Sequence, residues 1–178
     1  MSSMQHAWLG NYEVSSTSCT GLTFARHSHD ECVIGVNLLG EEQVWLDRRT
    51  FEAGPGSITL YNPGQIQGGG AAEGQPWRFV SLYATADQLA ADLGLAHLEF
   101  DRSLCFQPEL AMKLAGAIEG SLSADAIARE LSEEALVVLL GEVVSCSGVR
   151  LPGSTAVGRG LVIKAQELLA ENLHQAVP

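Results

Sequence analysis

The sequence predicts a mainly β chain with some α structure, in which a small β-barrel is followed by a helical region. Three observations carry that prediction. From about residue 8 to 85 the chain is rich in β-branched and aromatic residues, punctuated by Gly, Pro and Asn. In that stretch short apolar runs recur between turn signals, the pattern of a closed barrel or sandwich. From about residue 86 onward Ala, Leu and Glu recur at helical spacing.

The elements follow in order. Residues 1–17 are polar and read as an N-terminal arm, able to close over a pocket or to stay disordered. Thr20 to Arg26 is a candidate strand. Cys32 to Leu39 (CVIGVNLL) is nearly all apolar, as in a strand covered on both faces. Gly40-Glu41-Glu42 makes a turn. Gln43 to Asp47 is a strand, and an Asp47-Arg48-Arg49 turn returns it through Thr50 to Glu52. Ala53-Gly54-Pro55-Gly56 is a strong turn signal. Ser57 to Tyr61 is a strand ended by Asn62-Pro63-Gly64, and Trp77 to Ala84 is the last strand. The run Gly68-Gly69-Gly70 reads as a loop, either a mobile lid or a passive connection.

Three helices are predicted next: Asp87 to Leu93, Pro108 to Leu122 with proline in its first turn, and Ser123 to about Cys146. In the third, Ile127, Leu131, Ala135, Val138 and Leu139 fall on one face. Ser147 to Gly158 is a Gly-, Ser- and Pro-rich linker. An amphipathic helix is predicted from Arg159 to Leu173. The domain boundaries are therefore an arm at 1–17, a barrel at 18–86, helices at 87–147, a linker at 148–158 and a further unit at 159–178.

Composition narrows the function. Hydrophobic residues are 46% and charged residues 17% of 178, which is a globular composition. No apolar run is long enough to span a bilayer, and the first 15 residues lack the basic start of a signal peptide. The expectation is a cytoplasmic chain with no membrane partner. Its four cysteines contain no C-x-x-C pair and read as reduced, buried small hydrophobes. The net charge is −11 and Lys113 and Lys164 are the only lysines, so these residues should not grip nucleic acid themselves.

His27 and His29 are two apart. On a strand both imidazoles point to one face. Gly21, His27-Ser28-His29 and Gly40 are similar to the first cupin motif, and Gly54-Pro55-Gly56 with Asn62-Pro63-Gly64-Gln65-Ile66-Gln67 is similar to the second. More specifically, His27-Ser28-His29-Asp30-Glu31 leading into Val33-Ile34-Gly35, with Glu52-Ala53-Gly54-Pro55-Gly56 and Tyr61-Asn62-Pro63-Gly64, resembles the N-terminal ligand-binding domain of AraC-type transcriptional regulators. The resemblance covers roughly residues 20 to 178.

It implies a cupin-like double-stranded β-helix barrel followed by a helical dimerisation region. It implies that the barrel encloses a small organic effector. Trp45, Tyr61, Trp77 and Phe79 are candidates for its walls, and His27, His29, Arg26, Asn37 and Gln67 for polar contacts. Plain core packing is the competing reading of Trp45, Tyr61 and Phe79, and a surface charge that of Arg26. Few bases lie in the barrel region, which disfavours acidic effectors. The helices are implied to pair two copies, with Leu110, Leu131, Val138 and Leu139 at the contact. Residues 158–173 resemble the opening helix of the family's DNA-binding domain. About a hundred further residues are expected after Pro178, so the chain reads as truncated before that domain, and DNA is a partner only through it.

No cofactor is expected. In the wider cupin family two His, a Glu and a second-motif His hold a metal. Carried over, the Glu position is Val33 and the last His is Gln67, leaving His27 and His29 as a residual metal pair, with Glu31, of the same parity as His29, either a substitute ligand or an acid at a solvated strand end. The reading is a non-enzymatic effector sensor. The alternatives are a cupin metalloenzyme, a dioxygenase or isomerase using His27 and His29, and a plain dimerisation module with an empty barrel.

Overall fold

The computed structural model describes residues 2–148; residues 149–158 of the predicted linker and the unit at 159–178 lie outside the described residues. The strands are β1 (Ser3–Leu9), β2 (Tyr12–Thr20), β3 (Thr23–His27), β4 (Cys32–Leu39), β5 (Glu42–Leu46), β6 (Arg49–Ala53), β7 (Ser57–Tyr61), β8 (Gln67–Ala71), β9 (Pro76–Ala84) and β10 (Leu104–Phe106). The helices are α1 (Ala86–Asp92), α2 (Pro108–Ser121) and α3 (Ala126–Ser147).

The strands form two sheets, in the order β1-β2-β9-β4-β7-β10 and β3-β8-β5-β6. Each pairing is antiparallel. The sheets face one another across a cavity, giving the predicted cupin-like barrel, and the helices cover the outer face of the larger sheet.

The near-continuous apolar run of β4 follows from this layering. Ile34 and Val36 point outward into a core shared with Leu110, Leu114 and Ile118 of α2 and Leu136, Leu140 and Val143 of α3. Val33, Gly35 and Asn37 have the opposite parity and line the cavity. One strand therefore holds helices on one face and a site on the other.

Two expectations are corrected here. Residues 1–17 are not a separate arm before the barrel. Ser3–Leu9 and Tyr12–Thr20 form a β1–β2 hairpin around Gly10-Asn11, and β2 lies inside the large sheet, with Val14 paired to Leu82 and Thr17 to Phe79. The Ser- and Thr-rich composition of β2 concealed it. The Gly-Asn link between two runs was the available hairpin signal.

The triglycine is not a loop either. Gly68, Gly69 and Gly70 lie in β8, between β3 and β5. Gly69 and Gly70 have φ of +132° and +150°, and a Cβ there would stand 1.9 Å from Gln43 O and 2.2 Å from Leu22 O. Side chains are absent because neighbouring backbones occupy their space.

The helix ends carry local signals. The Thr85 hydroxyl accepts from Gln88 N at the start of α1, and the Asp125 carboxylate from Ile127 N at the start of α3. The C-cap of α3 is Gly148 with φ +70°. Among the described residues no helix is long and apolar enough to cross a membrane. All four cysteines are unpaired; Cys19, Cys32 and Cys105 are buried.

The apolar face of α3 is turned from the predicted one. Leu136, Leu139, Leu140, Val143 and Val144 are buried, while Ile127, Leu131 and Val138 are exposed by 70%, 62% and 66%. Leu110 and Leu139 lie in the chain's own core, so of the four residues expected at a contact only Leu131 and Val138 are free to make one.

Candidate functional site

The cavity between the sheets has a volume of about 180 Å³. Cavities of about 150 Å³ lined by apolar groups take a benzene-sized ring, so the space suits a small molecule. The large sheet supplies Val33, Gly35 and Asn37 from β4, Thr59 and Tyr61 from β7, and Trp77, Phe79, Ser81 and Tyr83 from β9. The small sheet supplies Phe24 and His27 from β3, Glu42 from β5, and Gln67 and Gly68 from β8; His29 comes from the β3–β4 connection.

Strand alternation explains most of these positions, and one irregularity explains the rest. Phe24 pairs with Gly69 and His27 with Gln67, so three steps on β3 oppose two on β8. This bulge lets Phe24 and His27, which differ in parity, both face inward. Gly35 on β4 leaves room for the Thr59 hydroxyl, since a Cβ there would lie 2.5 Å from Thr59 Oγ1.

The two histidines meet. His27 Nε2 and His29 Nε2 are 3.1 Å apart, and His27 Nδ1 is 2.7 Å from Ala25 O. A carbonyl can only accept, so His27 carries its proton on Nδ1 and its Nε2 accepts from His29 Nε2–H. Burial lowers the pKa of His29, and the neighbouring His27 lowers it further; Glu31, Glu13 and Asp30 oppose the shift. The His29 ring also packs on Tyr83, with centroids 5.3 Å apart.

Aromatic rings form one wall. Trp77 and Phe79 lie 4.2 Å apart at 32°, and Phe24 stands edge-on to both at 6.0 and 6.3 Å. Trp77 Nε1 is buried without a hydrogen-bond partner.

The polar end is built around Ala53. The Asn37 amide donates to Ala53 O at 2.5 Å and to Gly40 O at 2.9 Å, which fixes its orientation and leaves Oδ1 buried without a partner. Glu42 is the residue paired with Ala53 across the β5–β6 ladder. Burial pushes the Glu42 carboxyl up to about 7. Tyr61 and Tyr83 are also raised, chiefly by burial. Among the described residues no Lys or Arg lines the cavity.

Of the residues expected to contact an effector, His27, His29, Asn37, Tyr61, Gln67, Trp77 and Phe79 are brought together. Arg26 and Trp45 are not. The Arg26 guanidinium stacks on the Trp45 ring at 3.8 Å, outside the cavity, because Trp45 has the opposite parity to the inward Val44 and Leu46. Sequence reading missed Phe24, Glu42, Thr59, Ser81 and Tyr83. The parity of Trp77 and Phe79 already pointed to Ser81 and Tyr83.

The donor set does not fit the metal of the wider cupin fold. Gln67 pairs with His27 across the β3–β8 ladder, and Val33 stands where that site has its Glu. Two imidazoles and a neutral amide lack the carboxylate and third strong donor a zinc or iron(II) site uses. Among the described residues no group of three or more His, Cys, Asp and Glu is arranged to hold a metal.

Comparison with known proteins agrees with this geometry. The family model described as AraC-like ligand binding domain matches residues 11–140. No curated protein matches the chain. The crystal structure of the AraC-like transcriptional activator CuxR superposes with a TM-score of 0.62 at 22% identity, covering 87% of this chain and 58% of that one. A cupin superfamily protein of Desulfitobacterium hafniense is similar over 48% of this chain and 78% of its own, with 11% identity and a TM-score of 0.43. An RmlC-like cupin with a double-stranded β-helix fold from Methanocaldococcus jannaschii covers 48% and 81%, with 12% identity and the same score.

Proposed function

The chain belongs to the AraC-like ligand binding domain family, and from that premise we propose that it is the effector-sensing part of a transcription regulator. The single observation that carries this reading is the cavity between the sheets, walled by Phe24, Trp77 and Phe79 and furnished with polar side chains, among them Asn37 and the His27–His29 pair, which hydrogen bonds hold in place. A small organic molecule binds there, with His27, His29, Asn37, Tyr61 and Gln67 among its contacts. The chain does no catalysis. Its working place is the cytoplasm.

The mechanism is a population shift. An effector that prefers one arrangement of barrel and helices raises the population of that arrangement, and only by its differential affinity. Strand β4 is the direct mechanical link, since its two faces touch the cavity and the α2–α3 core. Two copies pair through α3, whose stripe Ile127, Leu131 and Val138 is exposed. DNA is reached through a further domain. The chain spans 58% of the length of CuxR, which leaves room for one in a protein of that kind.

A thermal-shift screen against sugars, amino acids, aromatic acids and aromatic amines tests the reading. A ligand bound only by the native state raises the melting temperature. A metal-dependent dioxygenase reading has no comparable support, because among the described residues no group of three or more His, Cys, Asp and Glu is arranged to hold a metal.

A further inference from the structure

We propose that the barrel cavity takes a small organic cation, an ammonium group on a body about one aromatic ring in size, held by Asn37 Oδ1 and the Glu42 carboxylate against the faces of Trp77, Phe79 and Phe24. This rests on the effector-binding reading and narrows it to a chemical class.

Two acceptors, Asn37 Oδ1 and the Glu42 carboxylate, dominate the polar end, with the Tyr61 hydroxyl beside Glu42 as a neutral donor. Asn37 spends both N–H donors on Gly40 O and Ala53 O, so only its carbonyl oxygen is offered to a ligand. Glu42 makes no hydrogen bond or ion pair with any described side chain, and among the described residues no Lys or Arg lines the cavity to neutralise it. The two groups are neighbours, since one donates to Ala53 O and the other pairs with Ala53 across the ladder. An ammonium carries three donors and no acceptor, which matches this end. A carboxylate or phosphate would meet two acceptors and no cation there.

The aromatic wall adjoins the same end. Phe79 pairs with Asn37 across the β4–β9 ladder, and Trp77 stacks on Phe79. Ring faces attract a cation, and desolvation strengthens the effect. The raised pKa of Glu42 agrees: the folded cavity holds an acid without a counter-ion, and an entering cation supplies one. The other titratable groups facing the cavity are His27, His29, Tyr61 and Tyr83. The unpartnered Trp77 Nε1 is the one feature an ammonium leaves unanswered, and the ligand's body must carry an acceptor or leave it to water.

Three size-matched probes test the assignment on the full 178-residue chain: benzylamine, benzyl alcohol and benzoate, titrated calorimetrically near pH 8. Benzylamine is expected to bind about tenfold or more tightly than the alcohol, and benzoate more weakly than either. In Glu42→Gln that preference should fall to within about threefold, while the alcohol still binds and the variant still melts cooperatively. Equal or tighter binding of the alcohol or the acid overturns the cation assignment and leaves the cavity as a neutral-ligand site. A preference that survives in Glu42→Gln overturns the role given to Glu42. Binding by none of the three overturns the ligand class, and the broad thermal-shift screen then decides separately whether the cavity binds effectors at all.

Discussion

His27 and His29 share one hydrogen bond, Nε2 to Nε2 at 3.1 Å, at the wall of the cavity, where burial partly desolvates the His29 ring. That contact needs one nitrogen lone pair, so it breaks if both rings become imidazolium.

A pH dependence follows with a definite sign. The folded pKa of His29 lies below its ordinary 6.5. The folded state therefore binds fewer protons than the unfolded chain, and stability is lost as pH falls below 6.5 toward the folded value. His29→Gln should flatten the acid side of the melting-temperature profile. The measurement is that profile for both proteins between about pH 5 and 8.

Glu42 acts in the opposite direction. Its carboxyl rises from 4.5 to about 7, so the folded state holds the proton more tightly. Its contribution is fully present below 4.5 and is lost as pH rises to about 7. The shift corresponds to at most about 3 kcal/mol. Glu42→Gln should therefore gain stability over the parent near pH 8 and show little difference near pH 4.5. Urea unfolding at the two pH values measures this.

Gly70 tests the architecture of the small sheet. Gly70→Ala should lose about 3 kcal/mol or more, because its Cβ would meet Leu22 O at 2.2 Å with φ at +150°. Gly116, in α2 with open space around a built Cβ, is the matched control. Gly116→Ala should gain about 0.5–1 kcal/mol. Denaturant midpoints of the two variants report both effects.

How far the sequence could be read depended on whether a segment's composition matched its role. Strands β4 and β7 were legible to the residue because each is an apolar run bounded by turn signals. Strand β8 was not, since triglycine ordinarily marks flexibility and here marks backbone crowding. Within the site, side-chain chemistry in the predicted strands picked out Asn37, Tyr61, Trp77 and Phe79. It could not separate Trp45 from its inward neighbours Val44 and Leu46, as all three are apolar. Phe24 was hidden by the bulge before His27. Glu42 was read as part of a turn, and nothing local distinguishes a buried acid from a turn acid.

The exposed stripe on α3 predicts self-association. Leu131→Glu should convert a dimer to a monomer, since a charge would enter the centre of the apolar contact. Leu139→Glu, at a position in the chain's own core, should instead unfold the protein. Mass in solution by light scattering, with a melting curve for each variant, separates these outcomes.

If an effector enters the cavity between the two sheets, Trp77 reports on it directly. The three tryptophans differ in place: Trp8 is 68% exposed, Trp45 lies outside the cavity, and Trp77 lines it at 2% exposure. In a Trp8→Phe, Trp45→Phe variant the remaining indole emission reads the cavity alone. Titrating this variant with a molecule that raises the melting temperature should change that emission saturably, over the concentration range that shifts the melting point. A stabilising molecule that leaves Trp77 emission unchanged binds elsewhere, and that result would contradict the account.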